Sequence, residues 1–146
     1  MINWQQVNHF TPTEFEHPED MFPTLVYELD KFREFVRRAV KVKESNPERR
    51  PGSSHMPQSL HYVGRAVDIA VKDLPLWDVF LAATRFPLFT GIGVYPYWTE
   101  PGIHVQIDAD TSILRKYWWR DNSGQYRALT VWDLEELFKT DTVSDT

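Results

Sequence analysis

The clearest pattern along the chain is an amphipathic helix near its amino terminus. Apolar residues recur at spacings of three and four with charged residues between them, which is the period of a helix with one buried face. The stripe comprises Phe22, Leu25, Val26, Leu29, Phe32, Val36 and Ala39. The helix is expected to end near Lys43, before Asn46-Pro47, because the residue preceding a proline disfavours the α region. Residues 40–43, Val-Lys-Val-Lys, also fit a short strand, and the pattern leaves both assignments open.

Two later segments alternate between apolar and polar residues, as strands with one buried face do. In residues 66–71 the apolar face has Val67, Ile69 and Val71, and the other face has Ala66, Asp68 and Ala70. In residues 103–108 the apolar face has Ile103, Val105 and Ile107, and the other face has His104, Gln106 and Asp108. Such strands place polar side chains on the open side of a sheet.

The remaining segments complete an α+β domain. Thr11-Pro12-Thr13-Glu14 predicts a capped turn, and a second helix is expected to start at Asp73-Leu74-Pro75. Residues 91–95 predict a strand, residues 116–129 a hairpin turning at 121–124, and Thr130 can cap a last helix through Phe138. Residues 44–58 form a long polar loop. We therefore expect one domain over residues 1–139, a small antiparallel sheet packed against helices, and a disordered tail over residues 140–146.

Composition narrows the possible chemistry. The chain has 146 residues, enough for one domain, and its net charge of −5 argues against a general nucleic-acid binder. It has no cysteine, so nitrogen and oxygen must hold any metal. Neither a membrane-spanning apolar run nor a signal peptide is visible, so we expect a soluble protein made in the cytoplasm.

Three polar residues on or beside the predicted strands form the ligand set of an open zinc site: His61, Asp68 and His104. Two neutral imidazoles and one carboxylate leave the ion with about one positive charge, which lowers the pKa of a bound water towards roughly 7. Small residues between His61 and Asp68 allow the backbone to turn sharply. Ser59 is expected to orient that turn or a ligand through a hydrogen bond.

The residues around these ligands resemble the M15 family of zinc peptidases. The resemblance rests on SxHxxGxAxD beginning at Ser59, on GIGVYP at residues 91–96, and on IHV around His104. The opening, residues 9–15, and the long helix that follows resemble the M15_3-type branch, and the similarity reaches about Trp119. This family includes D-Ala-D-Ala carboxypeptidases and dipeptidases and phage L-alanyl-D-glutamate endopeptidases.

The resemblance implies the fold shared by hedgehog domains and D-Ala-D-Ala peptidases, and a Zn²⁺ ion held by the three ligands. It implies hydrolysis of a peptide bond in the stem peptide of bacterial peptidoglycan. It also implies a monomeric, phage- or prophage-encoded enzyme, released by lysis or carried in the particle. No nucleic acid or membrane is expected as a partner.

The resemblance also suggests further catalytic residues, although the chain departs from the family pattern at both positions. Family members place an acid three residues before the second histidine, where this chain has Pro101. Glu100 is therefore the first candidate base, and Asp108, about 13 Å along a strand from His104, is the second. The family has an arginine in the loop before the first histidine, and it corresponds to Arg49 or Arg50 here. The usual Ser-Gly-Tyr-Arg motif is absent.

Two other functions compete with the peptidase. The first is a structural or interaction module that keeps zinc without catalysis, as in hedgehog domains, and the missing acid before His104 favours it. The second is a non-haem iron oxygenase, which ranks lower because its histidine and acid are two residues apart, whereas here they are seven apart. His55 is interpreted as a loop residue rather than a fourth ligand. The pair Trp118-Trp119 fits core packing better than a cleft wall.

Overall fold

A computed structural model describes residues 1–50, 53, 55–56, 58–110, 112–134 and 137. Within these residues two α-helices pack against one six-stranded sheet. The helices are α1, Pro23–Val36, and α2, Leu76–Thr84. The strands are β1 Val40–Glu44, β2 Ala66–Val71, β3 Gly91–Tyr95, β4 Gly102–Gln106, β5 Lys116–Arg120 and β6 Tyr126–Ala128.

The strand order across the sheet is β1-β2-β4-β3-β5-β6. Every pairing is antiparallel except that of β3 with β5, which is parallel. The predicted α+β class is thus confirmed, with a mixed sheet in place of a wholly antiparallel one. The parallel pair arises because the chain leaving β4 passes to the far side of β3 before β5 begins, a crossing that strand periodicity does not encode.

Helix α1 ends at Val36, seven residues earlier than the expected end near Lys43. Arg37 adopts the left-handed conformation with φ of 53°, and its N–H donates to the carbonyl of Arg33. This left-handed cap stops the helix. Residues 40–44 then pair with β2 as an edge strand, which resolves the open choice in favour of the strand.

One face of the sheet carries the hydrophobic core. The alternate residues of the three central strands are fully or almost fully buried against both helices: Val67, Ile69, Ile92, Val94, Ile103 and Val105. The helices contribute Leu25, Leu29, Phe32, Val79, Phe80 and Ala83 to the same cluster. This packing leaves the opposite face of the sheet free for polar side chains.

The sequence predicted a capping residue near each end of the chain, Thr11 and Thr130, and the structure agrees with these predictions in part. Glu14 accepts from the N–H of Thr11 at 2.8 Å, and Asp133 accepts from the N–H of Thr130 at 2.9 Å. The first described element after Thr130 is a 3-10 turn, Val131–Asp133. The predicted continuation to Phe138 falls partly outside the described residues, and the predicted tail, 140–146, lies outside them entirely.

Neither described helix has the length and hydrophobicity that a membrane crossing requires.

Candidate metal centre

Strand register brings two of the predicted ligands together. Asp68 on β2 lies directly opposite His104 on β4, on the face away from the helices. The third ligand, His61, lies in a 3-10 turn, Leu60–Val63, that precedes β2. Ser59 caps this turn, since its hydroxyl accepts from the N–H of His61 at 3.3 Å.

Gly64 ends the turn and allows His61 to approach the sheet. Its φ is 71°, a region that favours glycine. A Cβ at this position would lie 2.2 Å from the carbonyl oxygen of Asp20, so a larger residue does not fit. The glycine in the motif is thus required both by conformation and by close packing.

The three side chains form a compact buried group that could hold a metal ion. His104 Nδ1 lies 2.9 Å from Asp68 Oδ1, and His61 Nε2 lies 3.3 Å from the same oxygen. One ligand atom from each residue lies within 4.8 Å of the other two. The exposed fractions are 2% for His61, 7% for Asp68 and 8% for His104.

The hydrogen bond on the side of His61 away from Asp68 shows which ring nitrogen carries the proton. Its Nδ1 lies 2.7 Å from the carbonyl oxygen of Ser45, which can only accept. Nδ1 therefore carries the proton, and in the neutral ring Nε2 presents a lone pair towards Asp68.

The proton on His104 is assigned by a chain of side chains along β4. The Gln106 amide nitrogen donates to Asp108 Oδ2 at 3.1 Å, so its oxygen faces His104 Nε2 at 2.8 Å. Thr90 donates to the same carboxylate oxygen at 2.5 Å. His104 Nε2 therefore carries the proton, and in the neutral ring Nδ1 presents a lone pair towards Asp68.

Three acceptors, two imidazole lone pairs and a carboxylate, thus face one another in a buried space. Acceptors in this arrangement repel one another unless a proton or a cation lies between them. Ligand atoms about 2.0–2.1 Å from a tetrahedral zinc ion lie about 3.4 Å apart. The separations from Asp68, 2.9 and 3.3 Å, are close to that value. The donor set therefore fits a metal ion.

The pKa shifts of Asp68 and His61 arise from the attraction between the carboxylate and the imidazole rings. Burial alone would raise the pKa of Asp68, but hydrogen bonds and charge from His104 and His61 lower it well below its usual value. Burial alone would lower the pKa of His61, but the hydrogen bond and the charge of Asp68 outweigh burial and raise it. The group favours positive charge next to the carboxylate.

The group formed by His61, Asp68 and His104 opens into a cavity of about 600 Å³. Aromatic side chains from three strands and one loop line it, together with polar ones: Tyr95, Trp98, Trp118, Tyr126, Glu44, Asp108 and Arg120 among others. Tyr95 and Trp98 stack with ring centroids 4.1 Å apart. The cavity therefore combines a polar floor with apolar walls, as ligand sites do.

The two neighbouring tryptophans have different environments. Trp119 is 2% exposed and belongs to the core, whereas Trp118 lines the cavity, with its ring 5.3 Å from that of His104. Trp118 covers Gly93, where a Cβ would lie 2.4 Å from the indole nitrogen. The expectation of core packing thus holds for one of the pair only.

The remaining predicted site residues lie elsewhere. The carboxylate of Glu100 lies 3.2 Å from Lys41 Nζ, and Glu100 is not among the described residues that line the cavity. Arg49 packs over the ring of Tyr62 at 5.1 Å, and Arg50 lines a different cavity. The structure does not bring these three side chains together with His61, Asp68 and His104.

Sequence reasoning missed several neighbours of the three candidate ligands. Ser45 acts through its carbonyl, which carries no sequence signal, whereas Gln106 could have been found from its place on the polar face with His104. Glu44 is the register partner of Asp68 and lines the cavity. His55, interpreted from sequence as a loop residue, has its ring 4.6 Å from that of His61 and its Nε2 2.8 Å from the Glu44 carboxylate.

Comparison of the chain with protein-family models, with curated proteins and with solved structures finds no match in any of the three.

Proposed function

We propose that this protein is a zinc-dependent peptidase that hydrolyses a peptide bond in the stem peptide of bacterial peptidoglycan. One observation carries the proposal: an imidazole nitrogen of His61 and one of His104 lie 3.3 and 2.9 Å from Asp68 Oδ1, beside a cavity large enough for a peptide. The substrate class and a phage or prophage source rest on the resemblance of the SxHxxGxAxD motif to M15 peptidases.

Zinc is the metal that best suits this group. Two imidazoles and one carboxylate are a donor set of catalytic zinc sites, which keep a further position open. Each histidine is held by an outer acceptor, Ser45 or Gln106, as is usual for metal-bound imidazoles. When bound, zinc supplies Lewis-acid polarisation of a carbonyl and a nucleophile near neutral pH.

The chain must also supply a group that accepts a proton. Glu44 and Asp108 are described carboxylates in the cavity besides Asp68. Thr90 and Gln106 both donate to Asp108, whereas Glu44 has one partner among the described residues of the cavity, His55, with Nε2 at 2.8 Å. Glu44 lies across the β1–β2 ladder from Asp68, with its side chain 36% exposed. We therefore favour Glu44 as the general base, while the role of Glu100 stays a prediction from the resemblance.

Metal analysis and peptide hydrolysis together test this proposal. Purified protein, His104→Ala and the control His17→Ala are assayed for zinc, then incubated with defined stem peptides and analysed by mass spectrometry. We expect about one zinc and hydrolysis for wild type and His17→Ala, and neither for His104→Ala. His17 is a suitable control because its half-buried ring lies beside Glu19 and Glu48 and does not line the cavity. Hydrolysis that persists in the metal-free His104→Ala protein would contradict the proposal.

The second candidate is a zinc-binding structural or interaction module without turnover. The placement of Glu100 favours it, because the acid nearest the family's base position pairs with Lys41 instead of lining the cavity. This function predicts full zinc content with no hydrolysis of any stem peptide. Under it, wild type and Glu44→Gln are equally inactive.

A further inference from the structure

A second, smaller cavity adjoins the first. It has a volume of about 180 Å³ and lies between the loop after β3 and the β5–β6 hairpin. Tyr95, Trp98 and Arg120 line both cavities, so a ligand at the metal-binding group can extend into the smaller space. The smaller cavity has room for one small residue rather than a whole ligand.

Arg120 presents its positive charge where the two cavities meet. Its Nε donates to the carbonyl of Gly124 at 3.2 Å, and its guanidinium packs over the ring of Tyr126 at 5.3 Å. These two contacts hold the planar group in place. Within the described part of the chain, its terminal nitrogens have no hydrogen-bond or ion-pair partner.

The neighbouring acid does not neutralise Arg120. One oxygen of Asp121 accepts from the hydroxyl and N–H of Ser123 and from the N–H of Gln125, and the other accepts from Arg127 Nε at 2.6 Å. The described carboxylates that line the larger cavity are those of Asp68, a proposed ligand, and of Glu44 and Asp108, which lie near the ligands. Among the described residues Arg120 is therefore an exposed cation next to aromatic rings without an ion-pair partner, in a chain whose net charge is −5.

We propose that Arg120 and the small cavity form a subsite for a carboxylate of the substrate, a role that rests on the proposed function. A planar guanidinium whose two terminal nitrogens have no partner among the described residues matches a carboxylate in a bidentate geometry. Tyr97 and Trp98 enclose the residue that bears the carboxylate. The carboxylate belongs either to the chain terminus of the peptide or to an acidic side chain.

Binding of short peptides to the zinc-loaded protein tests the subsite. The probes are N-acetyl-D-alanyl-D-alanine, its terminal amide, and an N-acetyl-alanyl-glutamate with an amidated terminus. We expect the wild type to prefer at least one of the two acids over the amide by about tenfold or more. Whichever acid is preferred identifies the source of the carboxylate. Arg120→Gln should abolish the preference, and Arg50→Gln should keep it.

Equal affinity of the wild type for acids and amide would overturn the subsite, as would a preference that survives in Arg120→Gln. Loss of the preference in Arg50→Gln alone would assign the role to the loop arginine instead. Should Arg120→Gln fail to fold, NMR of the wild type decides: the Arg120 Nε–H signal must shift with an acid and not with the amide. Zinc content and hydrolysis are measured on the same samples, so failure of the peptidase function is seen separately from failure of the subsite.

Discussion

Asp68 and His104 are partners across the β2–β4 ladder, and the carboxylate Oδ1 lies 2.9 Å from the imidazole Nδ1. A single strand register thus joins two candidate ligands that are 36 residues apart in sequence. A slip of one residue would turn one of them towards the helices. The approach of Asp68 to His104 therefore depends on the packing of Val67 and Val105, which fixes this register.

Metal removal should destabilise the protein. A ligand that binds only the folded state at 1,000 times its Kd adds about 4 kcal/mol to the free energy of unfolding. For a domain of this size that corresponds to roughly 10 °C in Tm. We expect a chelator to lower the Tm of the wild type by such an amount and to leave Asp68→Ala unchanged, as measured by thermal unfolding. An equal Tm with and without zinc in the wild type would show that the group holds no structural ion.

Asp108 should influence metal affinity without touching the metal. It fixes the Gln106 amide, which in turn holds the proton of His104 on Nε2. We expect Asp108→Asn to weaken zinc binding about 10- to 100-fold, measured by competition with a chromophoric chelator. The control is Asp110→Asn, which removes an exposed carboxylate that contacts Ser112. Equal affinities in the two variants would exclude the positioning role.

Gly93 should tolerate no side chain while Trp118 is present. A Cβ at Gly93 would lie 2.4–2.9 Å from indole atoms, so Gly93→Ala must displace the ring. We expect the free energy of unfolding to fall by about 1–3 kcal/mol, measured by denaturant unfolding. In the double variant with Trp118→Phe the loss should be smaller than the sum of the two single losses. Additive losses would mean that the two positions do not interact.

Glu44 and Glu100 should differ in their effect on turnover. Glu44 lines the cavity, whereas Glu100 pairs with Lys41 outside it. We expect Glu44→Gln to lower kcat about 100-fold or more with zinc content unchanged, and Glu100→Gln to stay within about twofold of the wild type. If Glu100→Gln lost activity and Glu44→Gln kept it, the general base would be Glu100, as the family resemblance suggests.

Asp121 should make the β5–β6 hairpin sensitive to acid. Hydrogen bonds from Ser123, Arg127 and Gln125 lower the pKa of its carboxyl well below the usual value. Because the folded pKa is depressed, this stabilisation is present above the unfolded pKa of about 3.9 and is lost as the pH falls towards the folded value. An NMR titration should show Asp121 still ionised below pH 4. Asp121→Asn should remove that acid dependence from the hairpin signals.

The sequence by itself predicted the three residues that the fold brings together and the strands that carry two of them. Alternation places Asp68 and His104 on polar faces opposite β-branched residues, and that alternation needs only local periodicity. The stripe of α1 likewise marked its buried face, because a helical repeat is also local. The α+β class and the β5–β6 hairpin followed from the same kind of signal.

Only the tertiary structure decided which other residues contact His61, Asp68 and His104. The early end of α1 and the pairing of 40–44 with β2 bring Glu44 opposite Asp68 and the Ser45 carbonyl to His61. The parallel pairing of β3 with β5 carries Trp118 and Arg120 to the cavity, while Glu100 goes to Lys41. These relationships depend on strand order and register, which join segments far apart in the chain, and local spacing carries no information about such contacts.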